Sequence, residues 1–557
     1  MSKKPNVKDM SLKHKIGQIM CPGGGALSKM SMEEADAILR EYQFGSMWGC
    51  GNINMEMANL AENEIGNKAK ALKGKESQKH INSVLDIPMI VGMDCEQGLG
   101  TTYEEGTITP MGYAIGAANS EELTYELNAA VGREMRSIGA NWRFGGPVVD
   151  LPCRLAGVSV NRGFSDNPEK VSRLAVAAIR GMQSVGVAAA TKHFPGYDPY
   201  EFRDNHYSAT QISLSLEEWE KTQGKTFQAA IDGGTYSIMS GHMAFPAVDD
   251  EMVNGEYVPA TASKKILTGL LREKMGFKGV ICSDAIDMAA LSAMFDREEL
   301  LARTINAGND VLIGTRLRDS DIVLKLVEEG RISEQTIDEA CQRVLDMKEK
   351  MGLFDEDYDP FSYAEKYDIK EEAPKTEEIA KKICEKSITL LRDHNNMLPL
   401  SKDKIKNVGI LFSGHTKNAP VDEVRAMKEA FEERGAKVTV TADIWTEELD
   451  AFIDANDVVI YAGLIEPHCP SGLPSLHGDK LGTYHCAFSN GKEKSIGMSM
   501  GYPYIHFDVM SRARTFINTY SKCPASQRAF VRALYGEIGF CEESPVDTEP
   551  KLRLIYC

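Results

Sequence analysis

Residues 186–196 read GVAAATKHFPG, a short run of small and branched apolar residues that ends in Lys192 and His193. A near-continuous apolar run of this length is typical of a parallel strand buried on both faces. The same pattern recurs along the first 350 residues. It predicts eight strands: Ile16–Met20, Phe44–Trp48, Pro88–Asp94, Asn141–Asp150, Gly186–His193, Tyr236–Met243, Gly279–Asp284 and Asp310–Gly314.

Long amphipathic stretches separate these runs and predict helices, including Met32–Tyr42, Glu121–Ile138, Pro168–Val185, Ser215–Asp232, Ala262–Met275 and Glu298–Ala307. A strand followed by a helix, repeated eight times, is the pattern of a (β/α)8 TIM-type barrel. We therefore predict an α/β protein in which residues 1–353 form a (β/α)8 barrel catalytic domain.

A second, smaller domain is predicted after the barrel. Residues 354–376 are rich in proline and acidic residues and predict a linker. Beyond them, strand-like runs at Val408–Phe412, Lys437–Thr441 and Asp457–Ala462, with a helix at Val421–Arg434, follow in alternation. Residues 377–557 are therefore predicted to form a C-terminal α/β sandwich domain.

The composition excludes several classes of protein. The 557 residues include 63 Lys+Arg and 81 Asp+Glu, a formal net charge of −18, which argues against a nucleic-acid partner. The 12 cysteines are scattered singly without a CxxC pair, as expected in a reducing compartment. No window approaches the roughly 20 apolar residues of a membrane span, and the first 20 residues lack a signal-peptide core. We predict a cytoplasmic protein without a membrane partner.

Polar residues collect where the predicted strands end. The residues at such ends are Asp94, Glu96, Asp150, Lys192, His193, His242 and Asp284. In a barrel, the carboxyl ends of the strands form one active-site face. Asp284 is a carboxylate at the end of a buried strand. Burying a carboxylate costs free energy, so such a group is usually ion-paired or takes part in function. Asp284 could also serve as a helix N-cap.

The densest polar segment is the predicted loop that follows Lys192 and His193. Within TKHFPGYDPYEFRDNHYSAT, residues 191–210, Asp204 and His206 are separated by one asparagine. A carboxylate near a histidine fixes its tautomer and raises its basicity, which suits a general acid/base. The segment could equally be a solvated polar loop, and Glu201 is a competing carboxylic acid.

Cofactor motifs are missing from the sequence. There is no HxxxH, no phosphate-binding glycine loop, and the only soft-ligand cluster, His468-Cys469 with His485-Cys486, fits no zinc spacing. We therefore predict no metal and no cofactor. A nucleophile-like aspartate, an Asp–His pair and hydroxyl-binding side chains suit hydrolysis of a small, neutral, polyhydroxylated substrate.

Several motifs resemble glycoside hydrolase family 3, and more closely its β-N-acetylglucosaminidase branch. These motifs are TKHFPG with RDNH, GVICSDAIDM, PMIVGMDCEQG, NRGFSDNPEK and, in the second domain, ITLLRDHNNMLPL and RALYGEIGFCEESPV. The resemblance covers nearly the whole chain. It implies an exo-acting, retaining hydrolase that releases terminal non-reducing β-linked N-acetylhexosamine from oligosaccharides or cell-wall fragments.

The resemblance also implies roles for individual residues. Asp284 matches the nucleophile that forms a covalent glycosyl intermediate. His206 matches the acid/base of the branch, and Asp204 matches the carboxylate that orients it. The sugar-hydroxyl clamp of the family is matched by Asp94, Arg162, Lys192 and His193.

The sequence departs from the family pattern in three places. It has Tyr197-Asp198 after KHFPG, Gln97-Gly98-Leu99 after Asp-x-Glu, and Ala285 after Ser-Asp. These departures leave the reaction class unchanged and leave the identity of the sugar open. The alternative functions are a β-glucosidase or β-xylosidase of the same family, a β-N-acetylglucosaminide phosphorylase, and a catalytically silent sugar-binding protein. Phosphorolysis is favoured by a histidine acid/base, because a histidine does not repel incoming phosphate as a carboxylate would.

Overall fold

The computed structural model describes residues 3–27, 30–49, 79–152, 154, 158, 162–356, 358, 366–414, 419–442, 444–465, 476, 488–507 and 510–548. The chain divides into two compact units. Unit 1 comprises Met1–Thr107, Thr124–Leu151 and Ser172–Thr376, and unit 2 comprises Ile108–Leu123, Pro152–Val171 and Glu377–Cys557. Unit 2 therefore combines the C-terminal part of the chain with two earlier segments that the strand–helix pattern does not single out.

Unit 1 is built on eight parallel strands: β1 Met20–Pro22, β2 Ser46–Trp48, β3 Ile90–Met93, β4 Trp142–Arg143, β5 Ala188–Phe194, β6 Ser237–Ser240, β7 Val280–Ser283 and β8 Leu312–Thr315. Six of them pair in the order β7-β6-β5-β4-β3-β2, and β1 pairs with β8. Single bridges connect Gly23 to Trp48 and Cys282 to Val311, so both ends of the larger sheet meet the smaller one. The result is a curled parallel sheet, as the strand–helix alternation predicts.

Helices connect the strands of unit 1. Ser215 begins one of them with a capping box, in which its side chain accepts from Glu218 N while the Glu218 carboxylate accepts from Ser215 N. The helices that lie wholly or partly in unit 1 are Leu12–Gln18, Met32–Tyr42, Glu121–Ser137, Pro168–Gln183, Leu216–Lys221, Gln223–Asp232, Lys265–Lys274, Ala289–Ser292, Arg297–Ala307, Asp319–Glu328, Glu334–Lys350 and Ile369–Ser387. Across the described part of the chain, no helix combines the length and the apolar character that crossing a membrane requires.

The structure differs from several predicted elements. The predicted helix Ser215–Asp232 is two helices, and of the predicted strand Asn141–Asp150 only Trp142–Arg143 is a strand. The predicted strand Ile16–Met20 is wrong, because residues 12–18 are helical and β1 begins at Met20. Ser11 caps that helix by accepting from His14 N, and a short buried apolar run cannot by itself distinguish a helix from a strand. The helix Ile369–Ser387 begins inside the predicted linker, of which residues 357 and 359–365 lie outside the described residues.

Large apolar side chains fill the interior of the curled sheet. The ring centroids of Trp142 and Phe144 are 4.7 Å apart, and the indole N–H of Trp142 donates to Ser237 Oγ at 2.8 Å. Gly92 in β3 faces the Phe144 ring, where an added Cβ would come within 2.1 Å of the ring carbons. A glycine is therefore required at position 92 so that the aromatic ring can fill this layer.

Unit 2 contains a six-stranded sheet: β9 Thr389–Asp393, β10 Asn407–Gly414, β11 Lys437–Ala442, β12 Val458–Leu464, β13 Ser495–Ser499 and β14 Thr515–Asn518. Their order is β9-β14-β13-β12-β10-β11, and only the β9–β14 pair is antiparallel. Alternate residues enter two different apolar clusters: Ile410 packs in the cluster that includes Phe431, and Leu411 packs in the one that includes Leu449. Both faces of the sheet are therefore buried, as in other parallel sheets.

A lysine is fully buried in unit 1. Lys348 lies near the end of helix Glu334–Lys350, and its Nζ donates to Gln18 Oε1 at 2.7 Å. The amide of Gln18 in turn donates to the backbone oxygen of Gln43 at 2.5 Å. Burial lowers the pKa of Lys348 to about 7, so the amine is largely neutral in the folded protein above that pH.

Replacing this lysine should change how stability depends on pH. Between about pH 7 and 10 the unfolded chain carries a proton on Lys348 that the folded chain lacks, so the free energy of unfolding falls as pH falls. Lys348→Met removes this pH dependence, which is about 1.4 kcal/mol per pH unit. The free energy of unfolding of the variant therefore increases relative to that of the native protein as the pH is lowered from 10 to 7. Urea unfolding followed by tryptophan fluorescence measures it, with the exposed Lys221→Met as control. Parallel stability curves for the native protein and Lys348→Met would contradict the expectation.

Candidate active site

The strand ends of unit 1 bring charged side chains together at one edge of the curled sheet. Asp94 follows β3, Lys192 and His193 belong to β5, and Asp284 follows β7. Because carboxyl ends of parallel strands meet at the same edge, residues 190 positions apart in sequence become neighbours. Lys192 Nζ lies 3.8 Å from Asp94 Oδ1, and the charge of Lys192 also acts on Asp284.

Asp284 is held as an ionised carboxylate. Its backbone N–H donates to Ser240 O at 2.8 Å, which continues the β6–β7 pairing by one residue, and its Oδ1 accepts from Ala285 N at 2.8 Å. Desolvation raises the pKa of Asp284, but the charges of His193, His242 and Lys192 outweigh it and leave the pKa below its usual range. A carboxylate that is desolvated and still ionised is suited to act as a nucleophile.

Lys192 and Asp94 form a polar cluster with two further residues. Lys192 is buried and its Nζ donates to Glu96 Oε1 at 2.7 Å, while the indole N–H of Trp48 donates to Asp94 Oδ2 at 3.2 Å. Partial desolvation raises the pKa of Asp94, Lys192 opposes this, and the negative charges of Glu96 and Asp284 raise it further. Neither Trp48 nor Glu96 is among the predicted site residues, although Glu96 belongs to the Asp-x-Glu motif at the end of β3.

His193 is oriented by a buried carboxylate. Its Nδ1 lies 2.6 Å from Asp150 Oδ2, and its backbone N–H donates to Asp150 Oδ1 at 3.0 Å. Both residues are buried. Two contacts from one carboxylate fix the imidazole orientation and place a proton on Nδ1. Asp150 stands at a predicted strand end, which was the only signal for it in the sequence.

His242 also lies at the site, although it is not one of the predicted catalytic or clamp residues. It is fully buried, its Nδ1 lies 2.9 Å from Thr261 Oγ1, and its Nε2 lies 3.0 Å from the carbonyl oxygen of Ala285. Burial lowers the pKa of His242, and the negative charge of Asp284 opposes this. Since a carbonyl only accepts, Nε2 donates, and His242 holds the backbone that directly follows Asp284.

The loop after β5 carries the Asp–His pair. His206 Nδ1 lies 2.6 Å from Asp204 Oδ1, and the same oxygen accepts from His206 N at 2.9 Å. The carbonyl of His206 accepts from Ala289 N at 2.9 Å, which attaches the loop to the segment following Asp284. Asn205 is fully buried and accepts from the Tyr197 hydroxyl at 2.8 Å, so it anchors the loop between the two residues of the pair.

The competing carboxylate on this loop is committed to an ion pair. Glu201 accepts from Arg203 Nη2 at 2.6 Å and from Arg203 Nε at 2.9 Å. Desolvation raises the pKa of Glu201, but the bonds from Arg203 outweigh it and lower the pKa. A general acid needs a raised pKa, so this environment acts against Glu201 in that role.

One predicted clamp residue belongs to the other unit. Arg162 lies in unit 2, where its Nη1 donates to Val158 O at 3.0 Å. The other six predicted residues, Asp94, Lys192, His193, Asp204, His206 and Asp284, lie in unit 1.

The sequence predicts that the protein holds no metal ion. Within the residues the structure describes, no three His, Cys, Asp or Glu side chains are grouped so as to hold a metal ion. His468-Cys469 and His485-Cys486 lie outside the described residues.

The chain is similar to a known protein family and to several known proteins. Residues 11–347 match the model of the glycosyl hydrolase family 3 N-terminal domain. A beta-N-acetylglucosaminidase/beta-glucosidase from Cellulomonas fimi is 28% identical over 486 residues, which is 84% of this chain and 85% of the relative.

Two solved structures are similar over almost their whole length. A beta-glucoside phosphorylase, BglX, superposes with a TM-score of 0.83 at 25% identity, covering 98% of this chain and 95% of the other. A glycoside hydrolase family 3 beta-N-acetylglucosaminidase from Paenibacillus sp. has a TM-score of 0.80 at 25% identity, covering 97% and 99%.

Removing the positive charge of Lys192 should raise the pKa values of two carboxyl groups. Lys192 lowers the pKa of both Asp94 and Asp284, so Lys192→Met, which keeps the length of the side chain, is expected to raise both. Titration of carboxyl-13C-labelled aspartate by NMR measures this, with Asp94→Asn and Asp284→Asn assigning the signals. Lys221→Met, an exposed lysine on an outer helix, should change neither value. Unchanged pKa values of Asp94 and Asp284 in Lys192→Met would contradict this prediction.

Proposed function

The chain belongs to glycosyl hydrolase family 3, and on that premise we propose that it is a retaining, exo-acting β-N-acetylhexosaminidase. It is a glycosidase whose substrate is a carbohydrate, and the proposed reaction releases terminal non-reducing N-acetylglucosamine from oligosaccharides or cell-wall fragments. The observation that carries this proposal is the Asp204–His206 pair, joined through Ala289 N to the segment that follows the ionised Asp284. The names of the Cellulomonas and Paenibacillus relatives support the choice of sugar.

The fold supports the same proposal. We take the eight strands of unit 1, with their two connecting bridges, as a complete (β/α)8 barrel, and unit 2 as the family's α/β sandwich. Catalytic groups of barrel enzymes stand at the carboxyl ends of the strands, where Asp94, Lys192 and Asp284 lie.

The proposed mechanism has two steps. In the first, Asp284 attacks the anomeric carbon while protonated His206 gives its proton to the leaving oxygen, which breaks the glycosidic bond and forms a glycosyl–Asp284 ester. In the second, neutral His206 takes a proton from water, whose oxygen attacks the same carbon and releases Asp284. Two inversions retain the configuration, and Asp204 stabilises the imidazolium that is present before the first step and forms again in the second.

The sugar hydroxyls are proposed to be held by the charged groups around Asp284. Lys192 and His193 supply donors, Asp94 supplies an acceptor, and Asp150 keeps His193 in one orientation. Such contacts place the anomeric carbon for attack and lower the entropic part of the barrier. Arg162 is proposed as a fourth clamp residue from its match to the family motif alone.

Phosphorolysis is a second candidate function. In this version a phosphate oxygen attacks the glycosyl–Asp284 ester and the product is a sugar 1-phosphate. A neutral imidazole as acid/base avoids the repulsion that a carboxylate would exert on incoming phosphate. The similar structure of a beta-glucoside phosphorylase supports keeping this candidate.

The first experiment compares initial rates on aryl β-N-acetylglucosaminide and aryl β-glucoside, each with and without inorganic phosphate. We expect the N-acetylglucosaminide to be favoured about tenfold or more, as pocket contacts to one extra group typically allow. A preference for the glucoside would contradict the proposed sugar. A rate that rises with phosphate, with sugar 1-phosphate as the product, would show that the reaction is phosphorolysis and not hydrolysis.

The acid/base assignment is tested by His206→Ala. Loss of a general acid should lower kcat/KM on a substrate with a poor leaving group by about 10²–10⁴-fold, and by much less when the leaving group needs no proton. Glu201→Gln is the matched control on the same loop and should show no such dependence on the leaving group. Equal losses in His206→Ala on both kinds of substrate would remove His206 from this role.

A further inference from the structure

The turn that follows β3 carries both carboxylates that contact Lys192. Asp94 Oδ1 lies 3.8 Å from Lys192 Nζ, and Glu96 Oε1 accepts from it at 2.7 Å. Cys95, between them, has φ +47°, a left-handed conformation that is unfavourable for a residue with a Cβ. The Gly98 N–H donates to Cys95 O at 3.2 Å. Because such a conformation persists only where surrounding groups enforce it, other residues must hold this turn.

A buried guanidinium holds the turn. Arg143 ends β4 and is 8% exposed. Its Nη2 donates to Cys95 O at 2.8 Å and to Glu96 O at 3.3 Å, so one nitrogen binds two successive carbonyls. Burial lowers the pKa of Arg143, and the nearby negative charge of Glu96 opposes this. The guanidinium thus binds the backbone of the turn and also attracts the Glu96 carboxylate.

Arg143 is fixed on its other side by a helix. Its Nη1 donates to Asn128 Oδ1 at 2.6 Å, and Asn128 belongs to helix Glu121–Ser137. The Asn128 amide N–H donates to Thr124 O at 2.7 Å, which directs the amide oxygen toward Arg143. The planar guanidinium fork therefore joins the helix to the turn in one geometry.

The backbone of β4 packs on the same turn. Phe144 N, next to Arg143, donates to Met93 O at 2.7 Å. A Cβ at Gly145 would come within 1.7 Å of Asp94 O, so the two backbones are in direct contact there. The end of β4 therefore holds the turn at Asp94, and the Arg143 side chain holds it at the next two residues.

We propose that Arg143 is a positioning residue for sugar binding, which acts by holding the carbonyls of Cys95 and Glu96. Held in this way, the turn presents Asp94 to the sugar hydroxyls and Glu96 to Lys192. This inference rests on the proposed function, because that proposal assigns Asp94 to the clamp. Arg143 needs no contact with the substrate. No motif of the sequence indicates Arg143, and the residues directly after Glu96 are one of the three places where the sequence departs from the family pattern.

The test is a double-mutant cycle between positions 143 and 94. On the activated aryl β-glycoside that the native chain cleaves fastest, Arg143→Met should lower kcat/KM by about 10–100-fold, because a displacement of the clamp by about 1 Å has an effect of this size. In Asp94→Ala, which has already lost the clamp contact, the same substitution should lower it by about threefold or less. Arg143→Lys keeps the charge without the planar fork and should give an intermediate loss, and it replaces Arg143→Met if that variant does not fold.

Arg136→Met is the matched control. Arg136 is also buried, and its Nη1 donates to the carbonyl of Gly186 at 3.4 Å, before the amino end of β5. Its loss should lower kcat/KM by the same factor in the native chain and in Asp94→Ala. If Arg143→Met also shows equal factors in the two backgrounds, Arg143 is only a structural residue and the inference is overturned.

A measurement without substrate separates this inference from the proposed function. Hydrogen exchange of the Gly98 amide, which donates to Cys95 O, should become about tenfold faster in Arg143→Met and stay unchanged in Arg136→Met. Unchanged exchange in Arg143→Met would overturn the inference whichever sugar is cleaved. If the native chain cleaves only another glycoside and no N-acetylglucosaminide, the proposed function fails while the cycle still tests Arg143. A native chain that cleaves no glycoside would overturn both.

Discussion

The negative charge of Asp284 is the constraint on which the arrangement of unit 1 depends. Removing water from a carboxylate is costly, and the cost is met only when positive charges and N–H donors surround it. Here Lys192 and His193 come from β5, and His242 follows β6, so three different parts of the chain must meet at one point. The parallel sheet achieves this because it aligns the carboxyl ends of its strands.

The supporting groups are themselves held by a second layer of contacts. Asp150 fixes His193, Glu96 accepts from Lys192, and Trp48 donates to Asp94. Each contact joins residues from different strands, so the charged groups are positioned before any ligand arrives. This preorganisation is what allows electrostatic interactions to act at full strength in a site with little water.

The Asp204–His206 pair is attached differently from the residues at the strand ends. It lies on a loop whose anchors are the buried Asn205 and the hydrogen bond from Ala289 N to His206 O. The sheet therefore holds the proposed nucleophile, while a loop holds the proposed acid/base.

The sequence by itself determined the strand–helix alternation of unit 1, because a buried parallel strand requires a continuous apolar run, and it placed Asp94, Lys192 and Asp284 at strand ends. The sequence could not distinguish a helix from a strand at Ile16–Met20, because a short apolar run is compatible with either. The Ser11 side chain caps a helix there, which favours the helical conformation. Only the tertiary structure showed that Ile108–Leu123 and Pro152–Val171 belong with unit 2, and that Trp48 contacts Asp94. The sequence placed Glu96, Asp150 and His242 at strand ends, but only the structure showed which groups they contact. Those contacts join residues distant in the chain, and local sequence does not show which strand-end residues folding brings into contact.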